Sequence, residues 1–159
     1  MAAFDYRQAE EIRDSFARHG VRYLFIGKSG AVLLGFPDTT QDADVYVDKT
    51  RENGPAIVSA LTELGFTVSD SMKADILRGK DFVQLKEGPF ELDLIYAPDG
   101  IERFSEAWDR RVETEGFFVC HPDDIIASKI ATNRLKDRDT LPRLQSFRDY
   151  WVGEQRKKR

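Results

Sequence analysis

The sequence predicts an α/β (α+β) fold, a mixed β-sheet flanked by helices with a helical C-terminal segment, from three features. Apolar, β-rich runs recur at Val21–Ile26, Asp42–Asp48, Phe82–Leu85 and Phe90–Tyr96. Segments with apolar residues three and four apart lie before, between and after them. Glycines stand at the joints, where a chain changes from one periodicity to the other. The 159 residues suit one domain, 1–159, with an α/β core over about 20–98 and a helical part over about 101–152.

Taken in order, Tyr6–His19 carries Ala9, Ile12 and Phe16 at helical spacing, and Gly20 is placed to stop that helix. Val21–Ile26 reads as a buried strand. The turn Gly27-Lys28-Ser29-Gly30 leads into a short helix, Ala31–Leu34, ended by Gly35. After a loop, Asp42–Asp48 forms a strand with acids on one face and Ala43, Val45 and Val47 on the other. Asn53–Leu64 repeats the helical spacing with Ile57, Leu61 and Leu64, and Gly65 ends it. Phe66–Val68 is expected as a short strand. The Glu87-Gly88-Pro89 turn joins Phe82–Leu85 to Phe90–Tyr96 as a β-hairpin. Helices follow at Ile101–Trp108, from Pro122 to about Lys136, and at Leu141–Trp151. Pro122 suits a first helical turn, and Asp123 and Asp124 complement its dipole.

Composition narrows the function classes. With 41% hydrophobic and 33% charged residues the chain has the make-up of a soluble globular protein. No apolar run approaches the roughly 18 to 20 residues that cross a membrane, and the charged N-terminus lacks a signal-peptide pattern. The cytoplasm is the expected compartment, consistent with the lone Cys120. A net charge of −4 argues against a surface made to coat nucleic acid; the basic end, Arg156 to Arg159, reads as a solvated, frayed terminus.

Chemistry concentrates in YLFIGKSGAVLLGFPDTTQDADVYVD, residues 23–48. Asp42 and Asp44, two apart in a strand, project from one face, where paired carboxylates can hold a divalent cation. Asp93, in FELDLI, supplies a third acid from another strand, on the face it shares with Glu91 and Ile95. Three such acids suit a magnesium-dependent nucleotidyl-transfer site, where two ions about 3.5 to 4 Å apart neutralise a triphosphate and activate a hydroxyl. Asp42 and Asp44 would bridge both ions, and Asp93 would serve the nucleophile's ion and accept its proton. Between strand and helix, the Gly27–Gly30 turn offers free backbone N–H groups to phosphate, with a Ser29 hydroxyl and a Lys28 charge. That turn alone lacks the spacing of a P-loop.

Turn, then G-x-x-x-T-x-D-x-D, then a distant L-D-L, resembles the nucleotidyltransferase fold of the polymerase-beta type, especially the minimal and AbiEii-like bacterial proteins associated with toxin–antitoxin systems. Gly27, Ser29, Asp42, Asp44 and Asp93 fall on the signature positions. HPDDIIASKIATNRLKDRDTLPRL resembles the family's later helical segment, with Lys129, Arg134 and Asp137 on its lysine, arginine and acid. The resemblance spans about residues 20–150. It implies Mg²⁺ and an NTP as substrate, with NMP passing to a hydroxyl on RNA, protein or a small molecule. It assigns catalysis and metal binding to Asp42, Asp44 and Asp93, and nucleotide binding to Gly27, Lys28, Ser29 and Lys129. A cognate toxin or antitoxin protein is the implied partner.

Two positions depart from that pattern: Lys28 where the turn usually has glycine, and Asp38 where many relatives have arginine. They support the alternative expectation of a catalytically inactive binding or regulatory protein on the same scaffold. Lys129 can also be read as helix decoration. Arg134 and Asp137, three apart, can pair with one another, whereas Lys129 and Arg134, five apart on one helix, would diverge. Asp48, Asp99 and the Asp123-Asp124 pair suit turns and helix starts, and His19, His121 and Cys120 carry no evident chemistry.

Overall fold

The computed structural model describes residues 4–158. Its elements are α1 (Tyr6–His19), β1 (Tyr23–Phe25), α2 (Gly27–Leu33), β2 (Ala43–Val47), α3 (Asn53–Leu64), α4 (Asp70–Arg78), β3 (Phe82–Leu85), β4 (Leu92–Ile95), α5 (Phe104–Asp109), β5 (Val112–Thr114), β6 (Phe117–Val119), α6 (Pro122–Thr132) and α7 (Thr140–Lys157), with a 3-10 turn at Leu135–Asp137. The strands make one six-stranded mixed sheet in the order β3-β4-β2-β1-β6-β5. β2 runs antiparallel to β1 and parallel to β4, and β6 runs parallel to β1. β3 and β5 close the two edges as antiparallel hairpin partners. No helix among the described residues is long and apolar enough to cross a membrane.

The first helix begins on a capping box. The Asp5 carboxylate accepts from Gln8 N at 2.9 Å, and Gln8 Oε1 accepts from Asp5 N at 3.1 Å. It ends at Gly20, whose φ of 68° puts it in the left-handed region. Its buried face, Ala9, Ile12 and Phe16, meets α3, where Ser15 Oγ donates to Ala60 O at 3.0 Å. Edge-to-face contacts of Tyr23 with Phe16 and Phe25, and of Phe25 with Phe117, tie the helix layer to the centre of the sheet. A second group, α2, α6 and α7, packs together, with Leu144 and Ile125 buried among them.

Several boundaries differ from the sequence reading. The Gly27–Gly30 turn is already the first turn of α2, closed by Gly30 N donating to Ile26 O at 3.1 Å. Phe66–Val68 makes no strand: Thr67 N donates once, to Glu87 O at 2.9 Å, and the chain turns into α4. That helix, capped by the Ser69 hydroxyl and stopped by Gly79, buries Ile76. The region after residue 101 is not helical throughout, because β5 and β6 form a hairpin across Glu115-Gly116. Both turn residues have positive φ, 50° and 81°, the backbone a tight two-residue hairpin requires. α6 stops at Thr132, four residues short of Lys136, where Asn133 adopts a left-handed cap with φ 50°. α7 runs on to Lys157, so Arg156 and Lys157 are helical rather than frayed; Arg159 lies outside the described residues.

Candidate active site

The parallel pairing of β2 with β4 sets Asp44 directly beside Asp93. Neighbouring strands lie about 4.8 Å apart, so the two carboxylates share one face at close quarters. Antiparallel pairing then places Gln84 beside Asp93, giving a row Asp44–Asp93–Gln84 across three strands. Asp42 sits just before β2, and its Ala43 neighbour donates a backbone hydrogen bond to Glu91 O at 3.1 Å.

The row opens into a cleft of about 760 Å³, lined among others by Gly27, Lys28, Asp42, Asp44, Asp93 and Lys129. Six of the seven residues expected at the site thus meet around one space. The seventh, Ser29, is fully buried. Its hydroxyl donates to Ile26 O at 3.0 Å and accepts from Asp44 N at 3.0 Å. Its single hydrogen is committed, so Ser29 clamps the start of α2 to β2 instead of offering a hydroxyl to a ligand. Ile26 N closes the other half of that clamp by donating to Asp44 O at 3.0 Å. Gly27 suits this position on two counts. Its φ is +65°, and a Cβ at this position would stand 2.6 Å from Asp44 Oδ2.

The electrostatics follow from the packing. Burial first, then the charges of Asp93 and Asp42, push the Asp44 carboxyl up to about 8, with Lys129 pulling against them. Burial, then the Asp42 charge, raises Asp93 to about 6, opposed by its hydrogen bond with Asp44 and by Lys86 and Lys136. Glu91 is raised too, first by a hydrogen bond with Asp42. Like charges crowded this way call for a cation.

Among the described residues no three histidine, cysteine, aspartate or glutamate side chains stand together as a complete metal-ligand group. The donor chemistry nonetheless fits magnesium. That ion favours hard oxygen, and commonly takes only one or two carboxylates, leaving water and substrate phosphate to complete its shell. Asp44 and Asp93 are the two that stand paired.

The cations expected to hold a triphosphate are each tied to an acid. Lys28 Nζ lies 2.9 Å from Asp38 Oδ2, and Arg143 reaches the same oxygen at 2.9 Å. Hydrogen bonds from Lys28 and from Thr39 N hold the Asp38 carboxyl down at about 2. Buried Lys129 donates to Asp137 Oδ1 at 3.2 Å, while Arg134 Nε donates to Asp137 Oδ2 at 2.9 Å. Burial would raise the Asp137 carboxyl, but the Lys129 charge and these hydrogen bonds bring it below its ordinary value. Lys129 and Arg134 therefore converge, contrary to the divergence expected of one continuous helix; the break at Asn133 turns Arg134 back. Sequence reasoning missed Gln84, which lines the cleft, and Arg143, which reaches Asp38 from α7 without lining it. The hairpin register carried a signal for Gln84, and nothing local marked Arg143.

This six-stranded mixed sheet and its flanking helices match a nucleotidyltransferase-like fold. The crystal structure of a Thermotoga maritima protein named "putative nucleotidyltransferase" superposes on 93% of this chain and 92% of that one, with a TM-score of 0.54 and 18% sequence identity. At that identity the likeness is one of fold. No family model and no curated protein matches the chain.

Proposed function

We propose that the chain is an Mg²⁺-dependent nucleotidyltransferase that passes NMP from an NTP to a hydroxyl. The observation that carries this reading is the Asp44–Asp93 pair, set side by side by the β2–β4 register in a cleft that also holds Lys28 and Lys129. Asp44 and Asp93, joined by Asp42, would hold the metal; when bound, it would neutralise the triphosphate and favour the ionised acceptor oxygen. Asp93 takes the hydroxyl proton as the acceptor oxygen bonds to the α-phosphorus. The α–β phosphoanhydride bond breaks, and pyrophosphate leaves with its electron pair. Lys28 and Lys129 orient the β- and γ-phosphates, and Gly27 lets the backbone approach them. The resemblance to AbiEii-like proteins adds a toxin or antitoxin protein as partner, and the composition adds a cytoplasmic setting.

The experiment is transfer of label from each α-labelled NTP to RNA, protein and small-molecule acceptors, with Asp44→Ala beside the wild type. Transfer by the wild type that disappears in Asp44→Ala supports the reading, and transfer untouched by that substitution overturns it. The Lys28–Asp38 ion pair favours a second reading, a binding or regulatory protein without turnover. Calorimetric titration separates the two: Mg²⁺-dependent nucleotide binding with no transfer to any acceptor supports the second.

A further inference from the structure

The cleft's walls differ in charge. Its cations come from α2, α6 and the turn after α6: Lys28, Lys129, Arg134 and Lys136. The sheet edge and the loop after β4 line it with Asp81, Phe82, Gln84, Ile95 and Asp99; Lys86, just past β3, stands outside the lining, although its charge reaches Asp93. Among the described residues neither Asp81 nor Asp99 has an ion-pair partner, and Asp99 only accepts from Thr132 Oγ1 at 3.4 Å.

Register fixes how these groups stand. Phe82 pairs with Ile95 and Gln84 with Asp93, so Phe82 and Gln84 lie two apart on the face that carries the carboxylate row. Among the described residues β3 is the last strand at this edge of the sheet, and Phe82 is 45% exposed. A lone exposed aromatic is ordinary on a protein surface. This one borders the acceptor's carboxylate, beside an amide that can direct a hydroxyl, in a cleft that Asp81 and Asp99 also line.

We propose that Phe82 and Gln84 form the acceptor subsite, and that its occupant is an uncharged or cationic ring-bearing alcohol or phenol. The inference rests on the nucleotidyl-transfer reading for its chemistry. The ring lies against Phe82 and Ile95, the Gln84 amide hydrogen-bonds the hydroxyl beside Asp93, and a cationic group is met by Asp81 or Asp99. The transferred hydroxyl gives its proton to Asp93 and bonds the α-phosphorus as pyrophosphate departs. An anionic acceptor, an RNA end included, would bring a phosphate or carboxylate against Asp81 and Asp99, where like charges repel.

Two probes of one shape test this: tyramine, cationic, and 4-hydroxyphenylacetate, anionic. Each is titrated into ¹⁵N-labelled full-length protein, with and without Mg²⁺ and a non-hydrolysable ATP analogue, following the Phe82 and Gln84 amides. Tyramine should bind at least tenfold more tightly than 4-hydroxyphenylacetate. Phe82→Ala should weaken tyramine at least tenfold while nucleotide affinity stays within twofold, and Phe82→Trp should retain tyramine. Equal binding of the two probes, no tyramine binding, displacement of tyramine by an RNA oligonucleotide, or a loss of nucleotide affinity in Phe82→Ala would each overturn the assignment. Tyramine selectivity without any nucleotide binding would support the subsite and count against the transferase reading, so the two failures are distinct.

Discussion

Lys28 and Asp38, the two departures from the nucleotidyltransferase pattern, form an ion pair with each other at 2.9 Å. Each explains the other: a lysine entering the cleft from α2 is neutralised by an acid from the following loop, and Arg143 of α7 reaches the same oxygen, so two cations share one carboxylate. Both partners keep some solvent contact, 27% and 19%, so the bond is weak enough to open. A triphosphate would then compete with Asp38 for Lys28.

That competition has a sign. Asp38→Asn frees Lys28 and removes a negative charge near the phosphates, and should tighten Mg²⁺-ATP by roughly threefold, the scale of a partly exposed pair. Lys28→Ala should weaken it by a similar or larger factor, and in Lys28→Ala the Asp38 change should lose its benefit. Calorimetry on the four proteins of this cycle measures the coupling, which should shrink in high salt.

Gly27→Ala faces two costs at once. The left-handed backbone costs about 1 kcal/mol or more for a residue with a Cβ, and that Cβ would meet Asp44 Oδ2 at 2.6 Å. Gly20 has nearly the same φ, +68°, and nothing within 4 Å. Gly20→Ala should therefore lose only the backbone term in urea unfolding and keep full nucleotide binding. Gly27→Ala should lose more stability and nearly all metal-dependent binding, because the Asp44 carboxylate must move.

The contrast between Gly27 and Ser29 also measures what the sequence disclosed. Alternation along β2 and β4 sufficed to put Asp44 and Asp93 on cleft-facing strands, because period-two side-chain geometry is local. The role of Ser29 was not legible: whether a hydroxyl faces a ligand or its own fold depends on whether α2 begins at Gly27 or at Ala31. The β5–β6 hairpin escaped because its strands are three residues each, too short for periodicity to register. Lys129 and Arg134 misled for a related reason: a one-residue left-handed cap at Asn133 is invisible to helical spacing, yet it decides that both reach Asp137.

Asp44 and Asp93 make stability depend on pH when no cation is present. Their folded values, about 8 and about 6, stand above the roughly 3.9 of an unfolded aspartate. Between about pH 4 and pH 8 the folded chain thus holds more protons than the unfolded one. The pair's contribution is intact below pH 4 and is lost as pH rises through those folded values. Asp44→Asn, which removes the charge and keeps the shape, should match the wild type near pH 4 and exceed its Tm by a margin that grows toward pH 8, measured with a chelator present. Added Mg²⁺ should erase the margin by stabilising the wild type alone, with proton release detectable by titration in buffers of different ionisation enthalpy.

The Asp137 carboxylate carries both Lys129 and Arg134, so removing it has unequal consequences. Arg134 is half exposed and can turn to water, whereas Lys129 has 8% of its side chain exposed and cannot. Breaking a buried pair from one side leaves an uncompensated charge, at a cost of about 3 kcal/mol in a dry interior and less beside an open cleft, on the order of 2 kcal/mol. Asp137→Ala should cost that amount in urea unfolding. Lys129→Met, which removes the buried charge itself, should cost less, and the double variant should be no worse than Asp137→Ala alone. Nucleotide should invert the order, because a triphosphate gives the orphaned ammonium a new partner. Asp137→Ala should regain stability with Mg²⁺-ATP, and Lys129→Met should gain little, which a thermal-shift titration of the two variants reads directly.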